Sequence, residues 1–147
     1  MAYLENRKAL FNYETLDTIE AGIELLGFEV KAVRAGMGSL AGSYVVIDHG
    51  EAFLVGSNIT PYQVGNTPKE YVPTRRRRLL LSREEIIRLT NQTERDGLTI
   101  VPLAMYNKDA RIKVELAVAR GKKKHDKRMA IQTREVNREI ARTLKNK

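Results

Sequence analysis

Cysteine and tryptophan are both absent from the 147 residues. Without thiols the chain can form no disulfide and no thiolate zinc site, and it suits a reducing, cytoplasmic compartment. Histidine occurs twice, as His49 and His125, too far apart in sequence to suggest a histidine-based metal site. No apolar run approaches the roughly 18 residues of a membrane helix, and residues 1–14 lack the apolar core of a secretory signal. Also missing is any constellation an enzyme needs, whether a nucleophile beside a base, a metal set or a phosphate-cradling loop. Residues 34–42, RAGMGSLAG, contain G-x-G and a further glycine. With neither a strand-to-helix context nor a Walker lysine, they read as a flexible loop. His49 beside Gly50 reads as a solvated turn residue, and Glu84 and Glu85 as helix-start acids that suit the helix dipole. We therefore expect no catalytic residue, no cofactor and no metal.

What the chain does have is positive charge, unevenly placed. From Arg120 onward there are 11 Lys and Arg against 3 Asp and Glu, a net +8 that equals the net charge of the whole chain. Residues 1–119 hold 15 charges of each sign and are neutral. An apolar fraction of 42% allows that neutral body a core. The division is a body over 1–119 and a cationic arm over 120–147, with a polyanion as the expected partner.

Hydrophobic spacing gives the body its elements. Tyr44 to Ile47 and Ala52 to Val55 flank Asp48-His49-Gly50, a turn with glycine available for positive φ, and predict a hairpin. LTIVPLAMY and RIKVELAVA flank NKDA and predict a second. The latter arm alternates Ile112, Val114, Leu116 and Val118 against Arg111, Lys113 and Glu115, a half-buried strand with one wet face. Ser82 and Glu85 form a capping-box signature, with Gly97 as a stop, and predict a helix between them. Gly22 and Gly27 weaken a helical reading of residues 14–36, so we expect a strand bent at Gly22 and a short helix over 28–34. Residues 59–74, with three prolines, read as loop. Five strands with a helix between the third and fourth is the order of an OB-type Greek-key barrel, mainly β with flanking helices.

Three basic stretches suggest contacts. In TRRRRLLL, residues 74–81, four arginines enter the start of the helix, where its dipole disfavours cations. They read either as a solvated turn paired with Glu70, Glu84 and Glu85, or as phosphate contacts by arginine forks, with Arg75 and Arg76 as the candidates. ENRKA, residues 5–9, suits phosphate or base edges and equally an ordinary charged N-terminus. In the arm, Lys122, Lys123, Lys124, Lys127 and Arg128 surround Asp126. Beyond them Val136, Ile140 and Leu144 recur every four residues, as do Arg134, Arg138 and Arg142, two positions earlier. Two positions is about 200° of helical rotation, so aliphatics and arginines take opposite faces. Three medium aliphatics cannot hold an isolated helix, so we expect a disordered arm that becomes an amphipathic helix on an RNA partner. A membrane-surface helix is the rival reading, weakened because the arm contains neither Trp nor Phe.

In order along the chain, ENRKA, IEAGIELLGFEVKAVRAG, SYVVIDHGEAFLVGSNITPY, PTRRRRLLLSREEI, YNKDARIKVELAVARGKKKHDKR and the basic tail resemble the small protein B family of bacterial trans-translation. The resemblance covers nearly the whole chain and implies an OB-type barrel with an unstructured basic tail. It implies binding to the tRNA-like domain of tmRNA and delivery, with elongation factor Tu, to ribosomes stalled without a sense codon. The tail is then expected to enter the empty mRNA path at the 16S rRNA decoding region and fold there. By position, the family's RNA face falls on Asn6, Arg7, Lys8 and Glu20, with Lys31 and Arg34 extending it and Lys113 counted with it. The tail motif falls on residues 121–128. Leu10 and Phe11 stand where the family shows a basic residue and a His. Asn107 replaces an aromatic, and Val136 a Trp. A structural ribosomal component or a general OB-type RNA chaperone is the alternative function.

Overall fold

The structure, a computed structural model, describes residues 2–61, 65 and 67–122. It is mainly β, and the antiparallel ladders come first from the two expected hairpins. Strand β4 (Tyr44–Asp48) pairs with β5 (Glu51–Val55), and β8 (Thr99–Lys108) with β9 (Arg111–Gly121). Both hairpins turn through two residues. Strand β2 (Tyr13–Ile23) runs along β9 for almost its whole length and carries the expected glycine at its end. There Gly22 pairs with Lys113 on one side and Leu80 on the other. Its backbone leaves a β-carbon only 3.2 Å from the Leu80 β-carbon, so a larger residue would push the strands apart.

Helix α3 (Arg83–Glu94) begins as the capping box requires. The Ser82 hydroxyl accepts from the Glu85 N–H at 3.2 Å, and the Glu85 carboxylate accepts from the Ser82 N–H at 2.8 Å. Its buried Leu89 enters the main core with Leu54, Leu79, Ile100, Met105, Val114 and Leu116. Helix α2 (Gly27–Arg34) starts one residue before the expected span and ends where expected.

Four strands and one helix exceed the expected set. Strand β1 (Ala2–Glu5) pairs with β8, and helix α1 (Arg7–Asn12) follows it. Strands β3 (Gly38–Ser39) and β6 (Asn58–Ile59) form a small separate sheet. The larger departure is β7 (Arg77–Leu80), because the arginine run does not enter the helix but forms a strand. Its burial alternates, with Arg77 and Leu79 inside and Arg78 and Leu80 outside, which is the period of a strand. Paired to β5 and β2, it joins the two halves of a seven-stranded sheet ordered β1-β8-β9-β2-β7-β5-β4. Strand β4 packs back against β8, so the sheet curls into the barrel that the strand order suggested.

A second, smaller core lies on the outside of the sheet. There Ala9 of α1 covers Val101, Ala117 and Ala119. This explains why β9 alternates in its first half and is buried on both faces in its second. The ladder also continues past residue 119, with Glu14 opposite Arg120 and Tyr13 opposite Gly121. Arg120 and Gly121, counted above with the arm, therefore belong to the barrel.

Candidate nucleic-acid interface

The outward parity of three neighbouring strands assembles one polar patch. Glu20 of β2 lies opposite Glu115 of β9, and Lys113 of β9 lies opposite Tyr106 of β8. The Tyr106 hydroxyl donates to Glu20 Oε2, and Lys108 Nζ approaches Glu20 Oε1 to 3.2 Å. The hydrogen bond from Tyr106, then that from Lys108, with the Lys113 charge nearby, holds the Glu20 carboxyl below the ordinary carboxylate range. The Tyr106 phenol is pushed up, by burial first and then by Glu20. The arrangement presents an ionised carboxylate ringed by donors. It can accept a hydrogen bond from a 2′-hydroxyl or a base amino group, and it is unsuited to donating a proton at neutral pH.

Lys113 also lines a shallow groove with Arg34 of α2, floored by Gly22, Leu80 and Ile112. Lys31 is exposed on the same helix. The structure thus brings Glu20, Lys113 and Arg34 onto contiguous surface. Tyr106 and Lys108 join them, although sequence reasoning did not single out either. Their signal was present in parity, since they face outward with Lys113 and Glu115 once the turn at 109–110 fixes the register.

Helix α1 carries Arg7 and Lys8 exposed at its start. Asn6 is placed differently from the expectation of an RNA contact. It is 4% exposed, its amide nitrogen donates to Pro102 O at 2.8 Å and Leu40 O at 3.2 Å, and its oxygen caps α1 by accepting from Ala9 N. Both amide hydrogens are thus used in holding α1 to the barrel, and the oxygen in capping it. Lys8 lines a different, open groove of about 780 Å³ with Tyr13, Tyr44 and Lys122. Lys122 is tied to the end of α1, with its backbone N–H on Asn12 O at 2.8 Å and Nζ on Leu10 O at 3.2 Å. The arm therefore departs beside Lys8.

The arginine run divides by parity. Arg77 is fully buried and donates to Glu29 Oε2 from Nε at 3.0 Å and from Nη2 at 2.6 Å. Arg75 donates to both oxygens of the same carboxylate, and the Tyr71 hydroxyl adds a bond of 2.8 Å. Arg76 lies over the Phe53 ring, 3.8 Å from its centroid, and meets Asp48 at 3.3 Å with half its side chain exposed. Arg75, Arg76 and Arg78 border a groove next to that of Arg34, the two sharing Ile23 and Leu25. The buried Glu29 shares a helix face with Ala32 and Val33, a spacing that could have marked it as an inward carboxylate.

Among the described residues no group of three His, Cys, Asp or Glu could hold a metal, and no helix is long and apolar enough to cross a membrane. Lys123, Lys124, Asp126, Lys127, Arg128, Arg134, Val136, Arg138, Ile140, Arg142 and Leu144 lie outside the described residues.

Residues 3–146 match the family model described as SmpB protein. An SsrA-binding protein of Chlorobaculum tepidum is 51% identical over 143 residues, 97% of this chain and 90% of its own length. SsrA-binding proteins of Brucella anthropi and Gloeothece citriformis are 50% and 48% identical, covering 97% and 96% of this chain and 90% and 91% of their own. A solved chain from "tmRNA-SmpB: a journey to the center of the bacterial ribosome" superposes with a TM-score of 0.68 at 42% identity, over 86% of this chain and 92% of that one. The chain belongs to the SmpB protein family.

Proposed function

We propose that the chain binds tmRNA in trans-translation, its barrel holding the tRNA-like domain and its arm serving the ribosome. The observation that carries this reading is the Glu20 patch. A body with no net charge cannot hold RNA by bulk attraction, so recognition has to rest on local contacts matched to RNA shape. Glu20, Lys113, Arg34, Lys31, Arg7 and Lys8 are the residues we assign to it. Asn6 contributes by fixing α1, and Arg75 by holding Glu29. Arg76 can exchange Asp48 for a phosphate.

The arm, from Lys122 through Leu144, is assigned to the vacant mRNA path and the 16S rRNA decoding region, where counterion release favours a cationic segment. Elongation factor Tu joins through the shared tmRNA, and the setting is the cytoplasm. No step of this role breaks or forms a covalent bond, so the chain acts as a binding protein and not as an enzyme.

The test is affinity for tmRNA and for bulk tRNA across a salt series. We expect clear preference for tmRNA, and for Glu20→Ala a weakening on the order of tenfold with the fold intact, typical of losing a hydrogen bond to a charged group. Arg76→Ala should flatten the salt dependence by about 0.7–0.9 in log–log slope if it holds one phosphate. Equal affinity for both RNAs would favour the general RNA chaperone or ribosomal component, and an unaffected Glu20→Ala variant would remove Glu20 from the site.

A further inference from the structure

Glu20 is about one-third exposed, on a surface where a glutamate could sample several rotamers. It does not do so unaided. Tyr106 lies two strands away, with β9 between it and Glu20. Its phenol crosses the full width of β9 between the Lys113 and Glu115 positions to reach Oε2. Lys108, the next outward residue on β8, closes on Oε1 at 3.2 Å and Oε2 at 3.5 Å. Two side chains of one strand thus converge on the carboxylate of another, leaving part of its acceptor capacity unused.

We propose that Tyr106 and Lys108 are positioning residues for RNA recognition, clamping the Glu20 carboxylate so that its remaining lone pairs meet a 2′-hydroxyl or exocyclic amino donor on the RNA. The inference rests on the reading that Glu20 contacts RNA. An acceptor ordered before binding loses less entropy when its partner arrives. The cations beside it offset the repulsion a carboxylate would feel from nearby phosphates. The charged and titratable groups facing Glu20 are Tyr106 and Lys108 from β8 and Lys113 and Glu115 from β9, and the first two also keep it ionised.

The informative variant is Tyr106→Phe, which removes one hydroxyl and keeps the ring. We expect a weakening of about three- to tenfold for a folded tRNA-like-domain transcript, with an unchanged thermal midpoint. In the unbound variant the Glu20 carboxyl carbon should titrate at higher pH by NMR than in the wild type. RNA binding should then begin to fade at correspondingly higher pH as the solution is acidified. Lys108→Ala should move both readouts the same way, and Lys108→Arg should restore them. On a Glu20→Ala background, Tyr106→Phe should cost nothing further. If Glu20→Ala weakens binding while Tyr106→Phe does not, the clamp is wrong and the contact stands. If Glu20→Ala has no effect, the contact reading fails and the clamp with it. An affinity loss that merely follows a drop in thermal midpoint, with an unmoved Glu20 titration, also overturns the clamp.

Discussion

At the scale of single residues, Glu29 is a fully buried carboxylate held by two guanidinium groups. Burial alone would push its carboxyl up. Hydrogen bonds from Arg75, the Leu26 N–H, Arg77 and Tyr71 outweigh that and hold it at about 2 against an ordinary 4.5. A carboxyl depressed in the folded state adds stability that is complete above its unfolded value and lost as pH falls toward the folded one. The window here runs from about pH 4.5 down to 2, and the contribution is roughly 3 kcal/mol. Urea unfolding at a series of pH values should show that acid limb in the wild type. Glu29→Gln should flatten it and cost about 3–5 kcal/mol at neutral pH, because two guanidinium groups lose their anion. An acid limb of equal steepness in the variant would place its origin elsewhere.

At the scale of elements, the two hairpin turns differ in one atom that matters. His49 and Gly50 have φ of 50° and 76°, and Asp109 and Ala110 have φ of 52° and 63°. Both turns thus take the doubly left-handed form whose twist suits a hairpin. The first has glycine at its second position, while the second forces the Cβ of Ala110 into a region costing roughly 1–2 kcal/mol. Ala110→Gly should therefore stabilise the protein by about 1 kcal/mol, read as a raised thermal midpoint, less what glycine adds to unfolded-state entropy. A lowered midpoint would show that the turn tolerates its alanine.

These hairpins, α2, α3 and the strand that carries Gly22 were legible in the sequence because their signals are local: a turn glycine, a capping box, alternation. Strand β7 was not. Its partners lie on β2 and β5, and the anion that explains Arg77 is 48 residues away. Out of that context, four adjacent arginines look like solvent-facing charge. The same holds at the site. Glu20 and Lys113 could be named from family pattern and from parity along one strand, but the clamp by Tyr106 and Lys108 needs the register of three strands at once.

At the scale of the molecule, the proposed function assigns recognition and ribosome engagement to separable parts. Because β9 runs to Gly121 and the Lys122 N–H closes on Asn12 O, the clean cut lies after Lys122 and not within the strand. A chain ending there should keep the thermal midpoint and tmRNA affinity of the full protein, yet fail to support tagging of stalled chains in a reconstituted translation reaction. Full tagging by the shortened chain would refute the division. Strand β9 then acquires a metrological meaning. One end carries Lys113 beside Glu20, and the other releases the arm. Eight residues of extended backbone, about 27 Å, separate the two points. Such a strand cannot stretch, and a one-residue insertion would swap its faces, turning Ala117 and Ala119 away from α1. The barrel is in this sense a gauge block. Whatever length or sequence the arm adopts, it is launched at a fixed distance from the surface assigned to the RNA, so that seating one end sets where the other begins to search.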